Sequence, residues 1–142
     1  MRKIFIDLNI ILDVLLARQP FLGSSQRLLD LIVRGEVKGF VSAASMLNLY
    51  YIVQKQLTPP LALEHLRKMI HLFSIVEINK DILERAMHIR LVDYEDSVQA
   101  ACAERCGAQF IITRNLKDFK GSPVSILSPE KYLENDNDRG QN

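Results

Sequence analysis

The chain has only two cysteines, Cys102 and Cys106, too few for a disulfide framework or for a zinc site built from cysteine alone. They stand four apart in a helical stretch of small residues and read as buried thiols. No apolar run approaches the ~20 residues of a membrane span. Met1-Arg2-Lys3 leads at once into a short strand-like run and Asp7, not into a signal sequence. The expectation is a cytoplasmic chain with no membrane partner. The six glycines are scattered and form neither G-x-G-x-x-G nor G-x-x-x-x-G-K, which argues against a glycine cradle for nucleotide phosphates. The three histidines, His65, His71 and His88, lie inside helical stretches, and no serine occupies a nucleophile elbow. A phosphoaspartate reading of Asp7 wants a carboxylate two positions on, where Asn9 stands; a receiver-like reading wants a late lysine, where Arg114 stands.

What is present is the balance of an ordinary globule. The 142 residues are 48% hydrophobic and 25% charged, enough for one domain with one sizeable core. A net charge of +1 names no partner, but its distribution is uneven. Residues 1–71 carry nine basic and five acidic residues, whereas residues 72–142 carry nine and twelve. Positive surface and acidic chemistry are thereby placed on different parts of one fold, which points weakly to a polyanionic partner.

Along the chain, short apolar runs alternate with helical periods. Residues 3–6, 39–42, 74–78, 109–113 and 124–127 read as five strands. Residues 8–17 and 21–34 read as helices broken by Pro20 and closed by Gly35, and residues 43–56 as an unusually apolar helix. Thr58-Pro59-Pro60 opens another helix, on which Leu63, Leu66, Ile70 and Phe73 recur at helical spacing. Asn79 and Asp93 are placed to cap the two helices that follow. Residues 1–133 make one domain; the polar tail 134–142 is expected to be loose.

Strands alternating with helices predict right-handed crossovers, hence a three-layer α/β/α fold around a five-stranded, mostly parallel sheet. Ligand sites of such sheets lie outside the carboxyl ends of the strands. Asp7-Leu8-Asn9 follows the first strand, Ser42 and the helix bearing Asn48 follow the second, and Thr113-Arg114-Asn115 follows the fourth, with Asp118 beyond. Asp93-Tyr94-Glu95-Asp96 opens the helix before that fourth strand. A rim of acids and amides suits a hard cation such as Mg²⁺ or Mn²⁺.

Three segments carry a family resemblance: Ile4-Phe5-Ile6-Asp7-Leu8-Asn9, the run from Asp93 to Ala101, and the run from Ile111 to Phe119. In this order and at these spacings they resemble the PIN domain, across residues 3–127, and the small prokaryotic members that include the toxins of VapBC-type pairs. The resemblance implies a metal-dependent ribonuclease, often a homodimer, with RNA as substrate and an antitoxin protein as partner. It places the family's first, third and fourth acids on Asp7, Asp96 and Asp118, the catalytic and metal-holding set. Asn9, Asp93, Thr113 and Asn115 fall on supporting positions, while Arg114 and Lys117 stand where they could hold substrate phosphates.

One position departs from the family. Its second acid, a glutamate, aligns with Asn48, which offers an oxygen but no charge. Amid apolar neighbours Asn48 is expected to face inward, either as a structural hydrogen bond or as a remnant of the site. The alternative function is thus a PIN-fold module that binds RNA or protein without cleaving. Structural roles compete elsewhere too: Asp7 as a helix cap, Asp93 with Asp96 as a capping pair, Asp118 as a turn acid. Tyr50 and Tyr51 read as core and Asp13 as helix surface.

Overall fold

Ile4, Phe5 and Ile6 are consecutive and all fully buried, which an extended strand achieves only when both of its faces are covered. The computed structural model describes the backbone of residues 1–140 and the side chains of residues 1–137. The first strand, β1 (Lys3–Ile6), lies at the centre of a five-stranded sheet ordered β3-β2-β1-β4-β5, with β2 Lys38–Ser42, β3 Ser74–Val76, β4 Phe110–Ile112 and β5 Ile126–Leu127. Every adjacent pair is parallel. Ile4 and Ile6 enter a core with α1 (Leu8–Leu15), α2 (Leu22–Val33), α3 (Ala43–Gln56), α4 (Pro59–Leu72) and α7 (Pro129–Gly140). Phe5 points the other way, into a second core with α5 (Lys80–Ile89) and α6 (Tyr94–Arg105). The period-two alternation of one strand therefore builds both halves of the three-layer α/β/α fold.

The local signals act where the sequence places them. Thr58, Asn79 and Asp93 each accept a backbone N–H at the start of α4, α5 and α6. Gly35, at φ +74, turns the chain out of α2. At Gly39 a Cβ would lie 2.7 Å from Ile32 Cδ1 and 3.0 Å from Phe73 Cδ1, so β2 packs closely here and any side chain would require those two to shift.

The apolar stripe of α4 is only partly core: Leu63 and Ile70 are 51% and 45% exposed, and with Leu66 they line a shallow apolar groove against Met46, Leu47 and Tyr50 of α3. The stretch from Glu134 continues α7, which Tyr132 and Leu133 anchor in the core and an Arg2–Asp136 ion pair ties to the start of the chain. Residues 141–142 lie outside the described residues. Asp13 is not on the surface; it is 0% exposed, because Arg114 closes on it in a two-point ion pair at 3.0 and 3.1 Å and Ser25 donates to it at 3.3 Å. Among the described residues, no helix is long and apolar enough to cross a membrane.

Candidate functional site

Strand register decides which residues meet. Ile6 of β1 pairs with Ile112 of β4, so Asp7 and Thr113 emerge side by side at the carboxyl edge of the sheet. This is also where the strand order reverses, since β2 and β3 lie on one side of β1 and β4 and β5 on the other. Such a switch point leaves a crevice between crossovers that run to opposite faces. The Asp7 amide donates to the Ile112 carbonyl at 3.0 Å, extending the ladder by one step. The Thr113 hydroxyl donates to Asp7 Oδ2 at 2.8 Å and accepts the Asn115 amide at 3.0 Å. Asp7 stands at the N-cap position of α1 without a side-chain capping hydrogen bond, and its carboxylate lines the crevice.

The crevice is a cavity of about 370 Å³ that Asp7, Asn9, Asn48, Asp93 and Asp96 all line. Asp96 reaches it from the first turn of α6, whose start is capped by Asp93 accepting the Glu95 amide at 2.7 Å. The capping role expected of Asp93 is thus present, while Asp96 faces the cavity and not back toward the cap. Asp118 stands outside the cavity wall, on the exposed 3-10 turn Leu116–Phe119, close enough for its charge to act on Asp96.

The electrostatics follow from burial and like charge. Burial raises the pKa of Asp7, opposed chiefly by the Thr113 hydroxyl and then by the backbone at Asn9 and the nearby Arg114 guanidinium. Asp96 is pushed up to about 6, by burial first and then by the charges of Asp93, Asp118, Asp7 and Glu95. An anion at a helix N-terminus is favoured by the helix dipole. Here burial and four neighbouring acids outweigh that advantage.

Asn48 does not turn into the core. Its Nδ2 donates to Glu95 Oε1 at 3.0 Å, across the gap between α3 and α6 at the cavity. Arg114 is turned away from the site into its pair with Asp13, its guanidinium 4.0 Å above the Phe21 ring. Lys117 borders a separate depression with Phe119 and Lys120. Neither cation lines the acidic cavity. Tyr51, expected in the core, is 52% exposed and forms part of the cavity wall.

Two wall residues, Glu95 and Gln99, are not site candidates on sequence grounds. Gln99 is 7% exposed, and its Oε1 is buried with no hydrogen-bond partner. It stands three residues after Asp96 on one helix face, so the i, i+3 spacing was a usable signal. An orphaned amide oxygen beside carboxylates is a donor set of the kind a hard cation or its bound water takes up. Among the described residues, no three acid, histidine or cysteine side chains stand ready to close on one ion. Mg²⁺ does not require them to, because it keeps several waters and uses one or two carboxylates. The residues fit such an ion.

Comparison with known proteins agrees with this architecture. The chain is 23% identical over 137 residues to Ribonuclease VapC1 of Aquifex aeolicus (strain VF5), covering 93% of this chain and 94% of that protein. Its fold is similar to that in the crystal structure of FitAcB from Neisseria gonorrhoeae (TM-score 0.70, 20% identity, 89% of this chain and 98% of that one). It is also similar to VapBC2 from Rickettsia felis bound to a DNA fragment from their promoter (TM-score 0.69, 16% identity, 89% and 98%). Residues 3–117 match the family described as the PIN domain. The chain belongs to the PIN domain family.

Proposed function

We propose that this chain is a ribonuclease that hydrolyses RNA phosphodiester bonds with Mg²⁺ or Mn²⁺, and that it is the toxin of a toxin–antitoxin pair. The observation that carries the reading is the meeting of Asp7 and Asp96 in one cavity at the switch point of the sheet, with Asp118 near enough to raise the Asp96 pKa. Asp7 and Asp96 would hold the ion, with Asp118 acting from the rim. A bound divalent ion lowers the pKa of a coordinated water and offsets the charge of the phosphate and leaving oxygen. Thr113 holds Asp7 in one orientation, and Asn115 holds the Thr113 hydroxyl. Asn9 and Gln99 offer neutral oxygens at the same wall. Arg114 contributes by lowering the Asp7 pKa, and Lys117 would touch RNA only where the strand runs beyond the cavity.

The partner belongs to the same proposal. The toxin–antitoxin complex from Klebsiella pneumoniae, 23% identical with a TM-score of 0.67, supports an antitoxin protein as partner; a homodimer and a cytoplasmic location are part of the same proposal. The uncharged Asn48 favours a second reading, a PIN module that binds RNA or protein without cleaving it. Cleavage of mixed RNA substrates with Mn²⁺, with chelator, and with Asp7→Asn and Asp96→Asn separates the two. Cleavage that needs the ion and both acids supports the nuclease. Chelator-resistant cleavage, or full activity in Asp96→Asn, overturns the metal mechanism, and RNA binding with no cleavage under any condition leaves the binding module.

A further inference from the structure

One position on α3 that meets the cavity is an amide, and that amide holds a carboxylate. Asn48 Nδ2 donates to Glu95 Oε1 at 3.0 Å, and both side chains border the cavity. Glu95 follows the cap residue Asp93 by two positions and immediately precedes Asp96. Consecutive helical residues project about 100° apart, so Glu95 and Asp96 would not ordinarily serve one site. The bond to Asn48 holds the Glu95 carboxylate against α3 at the cavity that Asp96 also lines. One oxygen is engaged by the amide, and a carboxylate has further lone pairs to offer. Gln99, buried on the same helix with Oε1 unpartnered and lining the same cavity, is an independent sign that the wall is built to meet a polar guest.

We infer that Glu95 supplies a further carboxylate to the cation site and that Asn48 is its positioning residue, so the charge missing from residue 48 is present on the neighbouring helix. Glu95 reaches the ion through one of the waters it keeps, because among the described residues no three acids are placed to close on one ion. The inference rests on the metal-dependent reading of the same cavity. An unanchored glutamate at a helix start would sweep solvent and be ordered only at an entropic cost when an ion arrives. An amide donor that holds it beforehand lowers that cost, as hydrogen-bonded partners of ligating carboxylates do in metal sites.

The test is calorimetric titration with Mn²⁺ alone, without RNA, on the whole chain and on Glu95→Gln, Glu95→Asp, Asn48→Ala, Glu95→Gln/Asn48→Ala and Asp96→Asn. Circular dichroism melts confirm that each variant folds. Glu95→Gln is expected to weaken Mn²⁺ binding about tenfold or more. Asn48→Ala should weaken it by a smaller factor, and only where Glu95 is present: in the Glu95→Gln background it should have no further effect. That dependence marks positioning, since an amide acting on the ion by itself would lower affinity in both backgrounds. Wild-type affinity in Glu95→Gln, with binding lost in Asp96→Asn, overturns the role of Glu95 and leaves the metal reading standing. An additive loss from the two substitutions overturns the positioning role. If the unaltered chain binds no Mn²⁺, the metal reading fails and this inference fails with it.

Discussion

The Thr113 hydroxyl donates to Asp7 Oδ2 at 2.8 Å, joining the ends of two neighbouring strands whose residues are 106 apart in sequence. Thr113 is fully buried and Asp7 half-buried, so water is a poor substitute partner for this bond. Thr113→Val keeps the shape and removes the donor. The expected cost at pH 7 is about 1–3 kcal/mol, that of a partly buried charged acceptor deprived of a bond. The Asp7 pKa should rise further, since the largest influence holding it down is gone. Thermal unfolding reads the stability, and the pH dependence of Mn²⁺ affinity reads the shift toward higher pH. Thr113→Ser, which retains the donor, should behave close to wild type. Equal melting of all three proteins would show that the bond carries no weight.

Asp96 makes stability depend on pH in a stated direction. Its folded pKa is about 6, against an ordinary value of 3.8, so the folded chain binds this proton more tightly than the unfolded chain. The stabilisation is fully present below the ordinary value and is lost as pH rises through about 6. Asp96 is partly exposed, and solvent screening reduces the loss to about 1 kcal/mol. Asp7 is shifted the same way, so Asp96→Asn should flatten the fall between pH 4 and 6.5 without abolishing it. The measurement is the difference in melting temperature between the two proteins across that interval. A difference that does not change with pH would mean that Asp96 titrates normally.

Cation binding should show the complementary dependence. An ion must displace the proton that Asp96 holds near pH 6, so metal affinity should climb between pH 5 and 7 as that proton leaves. Thermal stabilisation by Mg²⁺, which acts by binding the folded state, should be small at pH 5 and larger at pH 7.5. Asp7→Asn and Asp96→Asn should lose most of that response while melting no lower than wild type in its absence, because each removes a repelling charge. If both melt lower without metal and none of the three responds to it, the acids are structural.

Most of the fold was legible because its signals are local. The bounds of α3 read from sequence as 43–56 are those of the structure, set by Ser42, whose side chain accepts the Ser45 amide, and ended before Thr58-Pro59. The place of Asp7 and Asp96 was legible too, since a parallel sheet with right-handed crossovers has one carboxyl edge and both acids lie on it. What sequence could not show depends on contacts between distant elements. Asn48 reads as inward-facing by its neighbours, yet its partner Glu95 lies 47 residues away on another helix. The helical spacing on α4 reports which residues share a face, not what covers it, so the exposure of Leu63 and Ile70 was not legible.

Asp13 and Arg114 show the same limit with the largest energetic consequence. Neither charge looks buried in sequence, since a helix aspartate and a loop arginine are ordinarily solvated. In the fold Arg114 meets Asp13 through Nε at 3.0 Å and Nη2 at 3.1 Å, with Asp13 wholly enclosed and Arg18 Nη1 a further 3.9 Å from Oδ1. Arg114→Met strands a buried carboxylate and should cost about 3 kcal/mol, toward the lower end for a broken buried pair because Ser25 and Arg18 remain. For a chain of this length that is a fall of roughly 10 °C in melting temperature. Asp13→Leu/Arg114→Met, which removes both charges and keeps the volume apolar, should recover most of the loss. Arg114→Lys should fall between, because an ammonium cannot span both carboxylate oxygens as the guanidinium does. A phosphate-holding Arg114 would behave differently: its loss would weaken RNA binding, steepest at low salt, and leave the melting temperature near wild type. Thermal unfolding of the three variants beside RNA titrations at two salt concentrations separates the roles, and an unchanged melting temperature in Arg114→Met would return this residue to the substrate.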